Sequence, residues 1–237
     1  MVKTIEDRIE NRIEDRIAAV REKIARSAAR AGREASEIKL VAVTKTRSVE
    51  EMLKAAPRVD ALGENRVQEA ASKKRDWPAG SGAVWRMIGH LQGNKVRKAL
   101  ELFDTVDSVD SVELARALNR AAGEARRALS VLVEVNTSGE ASKTGIDPGE
   151  ISELADGVLD CPHLKLEGLM TIGPLTDDEA RIRNAFAGLR EMASRVRLRS
   201  GLPLPVLSMG MSGDFEWAVL EGSTMVRIGT ALFGPRY

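Results

Sequence analysis

Lys45 follows the unbroken apolar run Leu40-Val41-Ala42-Val43 and a single threonine. Such a run is what a parallel strand buried on both faces looks like, and a lysine at its carboxyl end sits where barrel-type α/β folds keep their chemistry. A deprotonated primary amine there condenses with a carbonyl to give a Schiff base. Two segments of small residues late in the chain complement it: Ser208-Met209-Gly210-Met211-Ser212-Gly213 and Arg227-Ile228-Gly229-Thr230, each closing a short apolar run. Glycines let backbone N–H groups approach an anion, and Ser208, Ser212 and Thr230 add hydroxyl donors. In barrels, the loops after strands seven and eight commonly hold phosphate. A lysine facing such a cradle across a barrel mouth suits an aldehyde that carries a phosphate. Pyridoxal 5′-phosphate meets that description, and so does a phosphorylated sugar in a class I aldolase; the residues alone leave both open.

These groups converge only if the fold brings their strand ends together. Apolar runs fall at 39–44, 59–62, 84–88, 104–107, 129–135, 165–170, 204–208 and 224–228. Helical stretches alternate with them near 48–56, 65–75, 92–100, 111–123, 148–158, 177–199 and 213–221, opened by caps such as Ser48, Ser111 and Asp147-Pro148. Eight strands each followed by a helix predict a (β/α)₈ barrel of the TIM type, for which about 250 residues are usual. An open doubly wound sheet is the competing architecture. Residues 3–31 read as a long amphipathic helix with Ile5, Ile9, Ile13, Ile17, Val20 and Ile24 on one stripe, ended by Gly32. Their mostly four-residue spacing is not a sustained heptad, so the helix is expected to pack on its own barrel. No linker rich in Pro, Gly or Ser divides the chain, and residues 1–237 read as one domain, with the barrel over 39–237.

In such a barrel the strand ends should carry the polar residues. The expected ends offer Lys45, Gly63-Glu64-Asn65-Arg66, Gly89-His90, Asn136 with a loop reaching Lys143, Met170-Thr171, and the two small-residue segments. Composition removes other classes. The net charge is +1, from 36 basic and 35 acidic residues, and aromatics make up 3%, so neither nucleic acid nor an anionic membrane is the expected partner. The arginines at 181, 183, 190, 195, 197 and 199 read as a solvated helix face. One cysteine, Cys161, excludes an intramolecular disulfide, and with only His90 and His163 beside it no metal site is expected. With no signal-like or membrane-spanning apolar run, the chain reads as cytoplasmic. Closing the barrel leaves no sheet edge, and a monomer is expected.

The segments Val-Ala-Val-Thr-Lys45-Thr, Leu-Gly-Glu-Asn65, Trp-Arg-Met-Ile-Gly-His90-Leu-Gln-Gly-Asn-Lys95, Val-Asn136-Thr-Ser-Gly-Glu-Ala-Ser-Lys143-Thr-Gly-Ile, Gly-Leu-Met170-Thr-Ile, and Leu-Ser208 through Gly229-Thr230-Ala-Leu-Phe-Gly resemble the pyridoxal phosphate homeostasis protein family. The match runs in order from about residue 39 to 235. The resemblance implies a barrel like the amino-terminal domain of alanine racemase, the fold-type III architecture, binding pyridoxal 5′-phosphate in vitamin B6 and amino-acid homeostasis. Carried over by motif, Lys45 holds the cofactor as an aldimine, Arg227 faces the pyridine nitrogen, Ser208, Ser212, Gly229 and Thr230 hold the phosphate, and Met209 is a further cofactor-binding residue. Asn65, His90 and Met170 line the ring pocket. Lys143 assists transfer of the cofactor to apo-enzymes.

An arginine at the pyridine nitrogen keeps its own proton, leaving the ring a weak electron sink. Enzymes resembling alanine racemase also use a tyrosine from a second domain, whereas this chain has one tyrosine, Tyr237, at its end. The reading is therefore a cofactor-binding protein rather than an enzyme, with a small pyridoxal-phosphate racemase or lyase as the alternative.

Overall fold

The computed structural model describes residues 5–140 and 143–235, with side chains from residue 13 onward. Eight strands form: β1 (Lys39–Val43), β2 (Ala61–Glu64), β3 (Trp85–Met87), β4 (Thr105–Val109), β5 (Leu129–Glu134), β6 (Leu164–Met170), β7 (Val206–Ser208) and β8 (Met225–Ile228). Each pairs in parallel with the next, and β8 pairs back onto β1 through Val41↔Arg227 and Ala42↔Ile228, closing a barrel. That sequential order excludes the doubly wound sheet, whose order reverses at a switch point.

Every expected apolar run contains a strand, though several ends move. Asp60 and Asp104 explain two of the shifts, because their carboxylates take the N–H groups of Leu40 and Trp85, both at 2.7 Å. A side chain there replaces a ladder carbonyl. Side chains alternate across each strand. Leu40, Ala42, Leu62, Val131, Leu207 and Val226 join the core under the helices, whereas Val41, Ala61, Leu132, Met170, Val206 and Met225 form a separate cluster inside the barrel. β6 and β7 meet at a residue where only glycine fits: a Cβ on Gly168 would lie 1.8 Å from the Val206 carbonyl oxygen.

The helices follow the strands: α1 (Ile5–Arg30), α2 (Val49–Ala55), α3 (Val67–Asp76), α4 (Val96–Leu102), α5 (Val112–Glu124), α6 (Ile151–Leu159), α7 (Glu179–Ser200), α8 (Phe215–Leu220) and α9 (Thr230–Phe233). Ser48 caps α2 in a reciprocal capping box with Glu51, and Ser111 Oγ accepts from Leu114 N–H at 3.2 Å. Asp147 opens a short 3₁₀ turn, Pro148–Glu150, that leads into α6. α9 had no counterpart among the expected helices. The expected solvated arginine face of α7 is exposed at Arg181, Arg195 and Arg199 and also makes intramolecular bonds: Arg183 and Arg190 both bond Glu221, Arg197 caps the carbonyls of Pro203 and Leu204, and Arg199 pairs with Asp156. Among the described residues no helix is long and apolar enough to cross a membrane.

α1 lies against α2, α8 and α9, with Ile13, Ile17, Val20, Ile24 and Ala28 buried. Residues 3 and 4, the side chains of Ile5 and Ile9, and Tyr237 lie outside the described residues. Ile24 is 1% exposed, so Ile24→Ala should open a cavity and cost about 2–5 kcal/mol. Thermal denaturation checks this. An unchanged melting temperature with an altered oligomeric state would show that the stripe serves a coiled coil instead.

Candidate functional site

Lys45 sits two residues past β1, in a turn closed by the Arg47 N–H on the Thr44 carbonyl at 2.9 Å. Gly229 and Thr230 directly follow β8, the strand hydrogen-bonded to β1. The lysine and the small-residue segment are therefore neighbours along the closing seam, where the sequence suggested that they face each other across the mouth. Between them lies a cleft of about 270 Å³ whose walls include Lys45, Arg47, Ser212, Arg227, Gly229 and Thr230. Val43, Met211 and Gly213 complete the lining. Three cations line this space, and among the described residues no carboxylate does.

Local contacts give the cradle its shape. Gly210 has φ +99°, and a Cβ there would stand 2.6 Å from that of Ala218, so the loop after β7 can turn only on glycine. Ser212 Oγ accepts the N–H of Ala231 at 3.2 Å, which ties that loop to α9 and leaves the hydroxyl proton to donate elsewhere. At Gly229 a Cβ would meet Val43 at an ordinary 3.5 Å, so the missing side chain leaves cleft space and relieves no clash. Arg47 bonds the Gly234 carbonyl and lies 5.5 Å from the centre of the Phe233 ring, fastening the Lys45 turn to the end of α9.

Arg227 is buried. Its Nη1 donates to the carbonyl and the hydroxyl of Ser208, and its Nη2 to the Thr171 carbonyl, each at 2.8 Å. Burial pulls its pKa down, while Glu134, Asp107 and Asp214 push it up. It stays a cation at neutral pH.

The expected site residues divide accordingly. Lys45, Ser212, Arg227, Gly229 and Thr230 share the cleft. Ser208 is fully buried with its hydroxyl turned to Arg227, and Met209 lies in the outer core because it alternates away from Ser208. Met170 belongs to the cluster inside the barrel. Asn65 follows β2 half-buried, its Oδ1 buried and without a protein partner among the described residues. His90 is exposed, with Nδ1 3.0 Å from Asp110 Oδ2. Lys143 bridges two rim loops, donating to Glu140 Oε1 at 3.2 Å and to the Gly173 carbonyl at 2.6 Å.

Glu134, the last residue of β5, was not among the expected site residues. It is 1% exposed; Oε1 accepts from the Thr144 hydroxyl at 2.6 Å and Oε2 has no partner among the described residues. Burial pushes its carboxyl above the usual range, against the pull of Thr144, Arg227 and His90. An acid that ends an inward-facing apolar strand was the available signal.

The family model for the alanine racemase N-terminal domain matches residues 16–237. A pyridoxal phosphate homeostasis protein of Pseudomonas aeruginosa is 42% identical over 220 residues, 92% of this chain and 94% of that one. The chain belongs to the pyridoxal phosphate homeostasis protein family. Its Escherichia coli member is 41% identical over 226 residues, with 92% and 94% covered. Among solved structures, PipY of Synechococcus elongatus with pyridoxal phosphate bound matches with a TM-score of 0.74 at 36% identity, over 89% of this chain and all of that one. A protein of Bifidobacterium adolescentis described as unknown matches at 0.89 and 39% over 98% of both chains. An alanine racemase of Clostridium difficile, at 18% identity and 0.70, shares the fold over 94% of this chain and 57% of its own.

The Glu134 carboxyl has a testable consequence within this family member. A carboxyl whose pKa rises on folding contributes stability below its unfolded pKa, and that contribution is lost as pH climbs through the folded value. Glu134→Gln, which cannot ionise, should therefore melt higher than the parent at pH 8 and show no such gain near pH 4. Melting curves across that range check it, and an equal effect at both ends would contradict a carboxyl whose pKa is raised by burial.

Proposed function

We propose that this protein binds pyridoxal 5′-phosphate, held covalently on Lys45, and serves vitamin B6 and amino-acid homeostasis. The observation that carries this reading is the cleft in which Lys45 shares walls with Ser212, Gly229, Thr230 and Arg227, lined by cations and, among the described residues, by no carboxylate. A dianionic phosphate is favoured there by charge, and small residues let backbone N–H groups reach it. The names of the relatives and the cofactor in PipY point the same way. When bound, the cofactor supplies an aldehyde and an electron-withdrawing pyridine ring.

Each residue then has a bounded task. Lys45 fastens the aldehyde carbon. The Ser212 hydroxyl, whose oxygen already accepts from Ala231, donates to the phosphate with Gly229 and Thr230. Arg227 would face the ring nitrogen and keeps its own proton. Asn65, with its orphaned amide oxygen, fits a contact to a ring substituent. Lys143, anchored at the rim, would assist transfer to apo-enzymes.

Holding is favoured over turnover. Racemisation and elimination need a proton acceptor beside the substrate carbon and a ring that drains its electrons. Among the described residues no histidine, cysteine or carboxylate lines the cleft, and an arginine at the nitrogen would weaken the sink.

A visible spectrum before and after borohydride reduction tests the reading, with the reduced cofactor expected on Lys45 by peptide mapping. Lys45→Ala should abolish that label; a label surviving the substitution would sink the assignment. Gly229→Ala should fold normally, since its Cβ finds an open 3.5 Å contact, yet weaken cofactor binding about tenfold by filling the phosphate cradle. Binding titration of the apo-protein checks it.

A further inference from the structure

An ion-pair group centred on the buried Lys73 grips the backbone on both sides of Lys45. Lys73, on α3, is 8% exposed, and its Nζ donates to the Thr44 carbonyl, Glu64 Oε1 and Glu69 Oε1, each at 2.7 Å. Glu64 is fully buried and also accepts from the Thr44 hydroxyl at 2.6 Å. Glu69 accepts the N–H of Thr46. The peptide unit before Lys45 is thus held by its carbonyl and the unit after it by its N–H. The two holders, Lys73 and Glu69, are bonded to each other.

Fixing the peptide planes on either side of a residue fixes the direction in which its Cα–Cβ bond leaves the chain. Thr46 sharpens the point, because it stands at φ +65°, in the left-handed region that a β-branched residue rarely enters. Strain of this kind persists where the surroundings over-determine it and clusters at functional sites. An ion pair needed only to join α3 to β2 would be complete with Lys73 and Glu64. The bonds to Thr44 and Thr46 address the Lys45 turn instead.

We infer that Glu69 and Lys73 are positioning residues that aim the Lys45 side chain at the incoming aldehyde. This rests on the reading of Lys45 as the covalent anchor. In the capture step the Lys45 nitrogen and the aldehyde carbon form a C=N bond. The carbonyl oxygen leaves as water with two protons, and nothing is oxidised or reduced. The two residues touch neither partner; they act through the turn.

The test compares full-length apo-protein with Glu69→Ala and Glu69→Gln. Capture of pyridoxal 5′-phosphate is followed by absorbance and fixed on Lys45 with borohydride. Affinity is measured separately for 4-deoxypyridoxine 5′-phosphate, which has no aldehyde. Glu69→Ala should slow capture about tenfold or more while leaving the affinity for the analogue near the parent value. Glu69→Gln keeps an acceptor for the Thr46 N–H and should recover most of the rate. Capture by Glu69→Ala at the parent rate would overturn the inference. So would an equal loss of capture and of analogue affinity, which marks a structural role. Should Glu69→Ala fail to fold, the charge-neutral pair Glu64→Gln with Lys73→Met is read by the same criteria. Parent protein labelled at a residue other than Lys45 would overturn the anchor reading and this inference with it; a Lys45 label beside unaffected variants overturns the positioning role alone.

Discussion

The pairing of the last strand with the first is the constraint on which the site depends. Lys45 and Gly229 are far apart in the chain, and only the ladder between β8 and β1, with Val41 against Arg227 and Ala42 against Ile228, makes them neighbours. Such a contact forms last in any sequential winding of the barrel and closes the longest loop among its strands, at an entropic cost that rises with loop length. The structure reinforces it twice above the ladder. Arg47 reaches from the Lys45 turn to the Gly234 carbonyl and the Phe233 ring, and α1 lies over α8 and α9 from outside. The long amino-terminal helix therefore supports the seam as well as covering apolar surface.

Charge is layered around that seam. The net charge of +1 says nothing about an anionic ligand, yet the cleft presents Lys45, Arg47 and Arg227 together. The acids lie behind them: Glu134 and Asp107 inside the barrel, and Glu64 against α3, all nearly or fully buried. Buried acids next to a buried guanidinium limit the cost of taking it out of water, while their position leaves the cleft field positive. Arg86 and Asp107 repeat the device deeper in the barrel as a two-bond pair at 2.7 and 2.9 Å.

Much of this was legible in the sequence, and what was missed follows one pattern. Each of the eight apolar runs contains a strand because parallel strands buried on both faces leave a continuous apolar record. Lys45, Arg227 and the small residues were legible because strand-end position and residue type both report on a barrel mouth. Direction was not. Ser208 and Met209 are adjacent in sequence and point to opposite faces, so the hydroxyl meets Arg227 and the thioether enters the core. The Glu64–Lys73–Glu69 group depends on how α3 sits against the turn after β1, a relation between elements that local pattern does not encode. α9 escaped because four residues are too few to show a helical period.

The two ends of the cleft are held by different means. Arg227 lies within β8, buried, with three bonds to Ser208 and Thr171 that fix its guanidinium. Lys45 lies on a turn beyond β1, half-buried, and there the hold is on the backbone, since Lys73 donates to the carbonyl before it and Glu69 accepts the N–H after it. Fixing the chain beneath the lysine serves an approach that depends on direction, because reacting atoms meet productively only within a narrow range of geometry. In this molecule the rigidity is invested in the backbone around the lysine and in the buried arginine of the neighbouring strand.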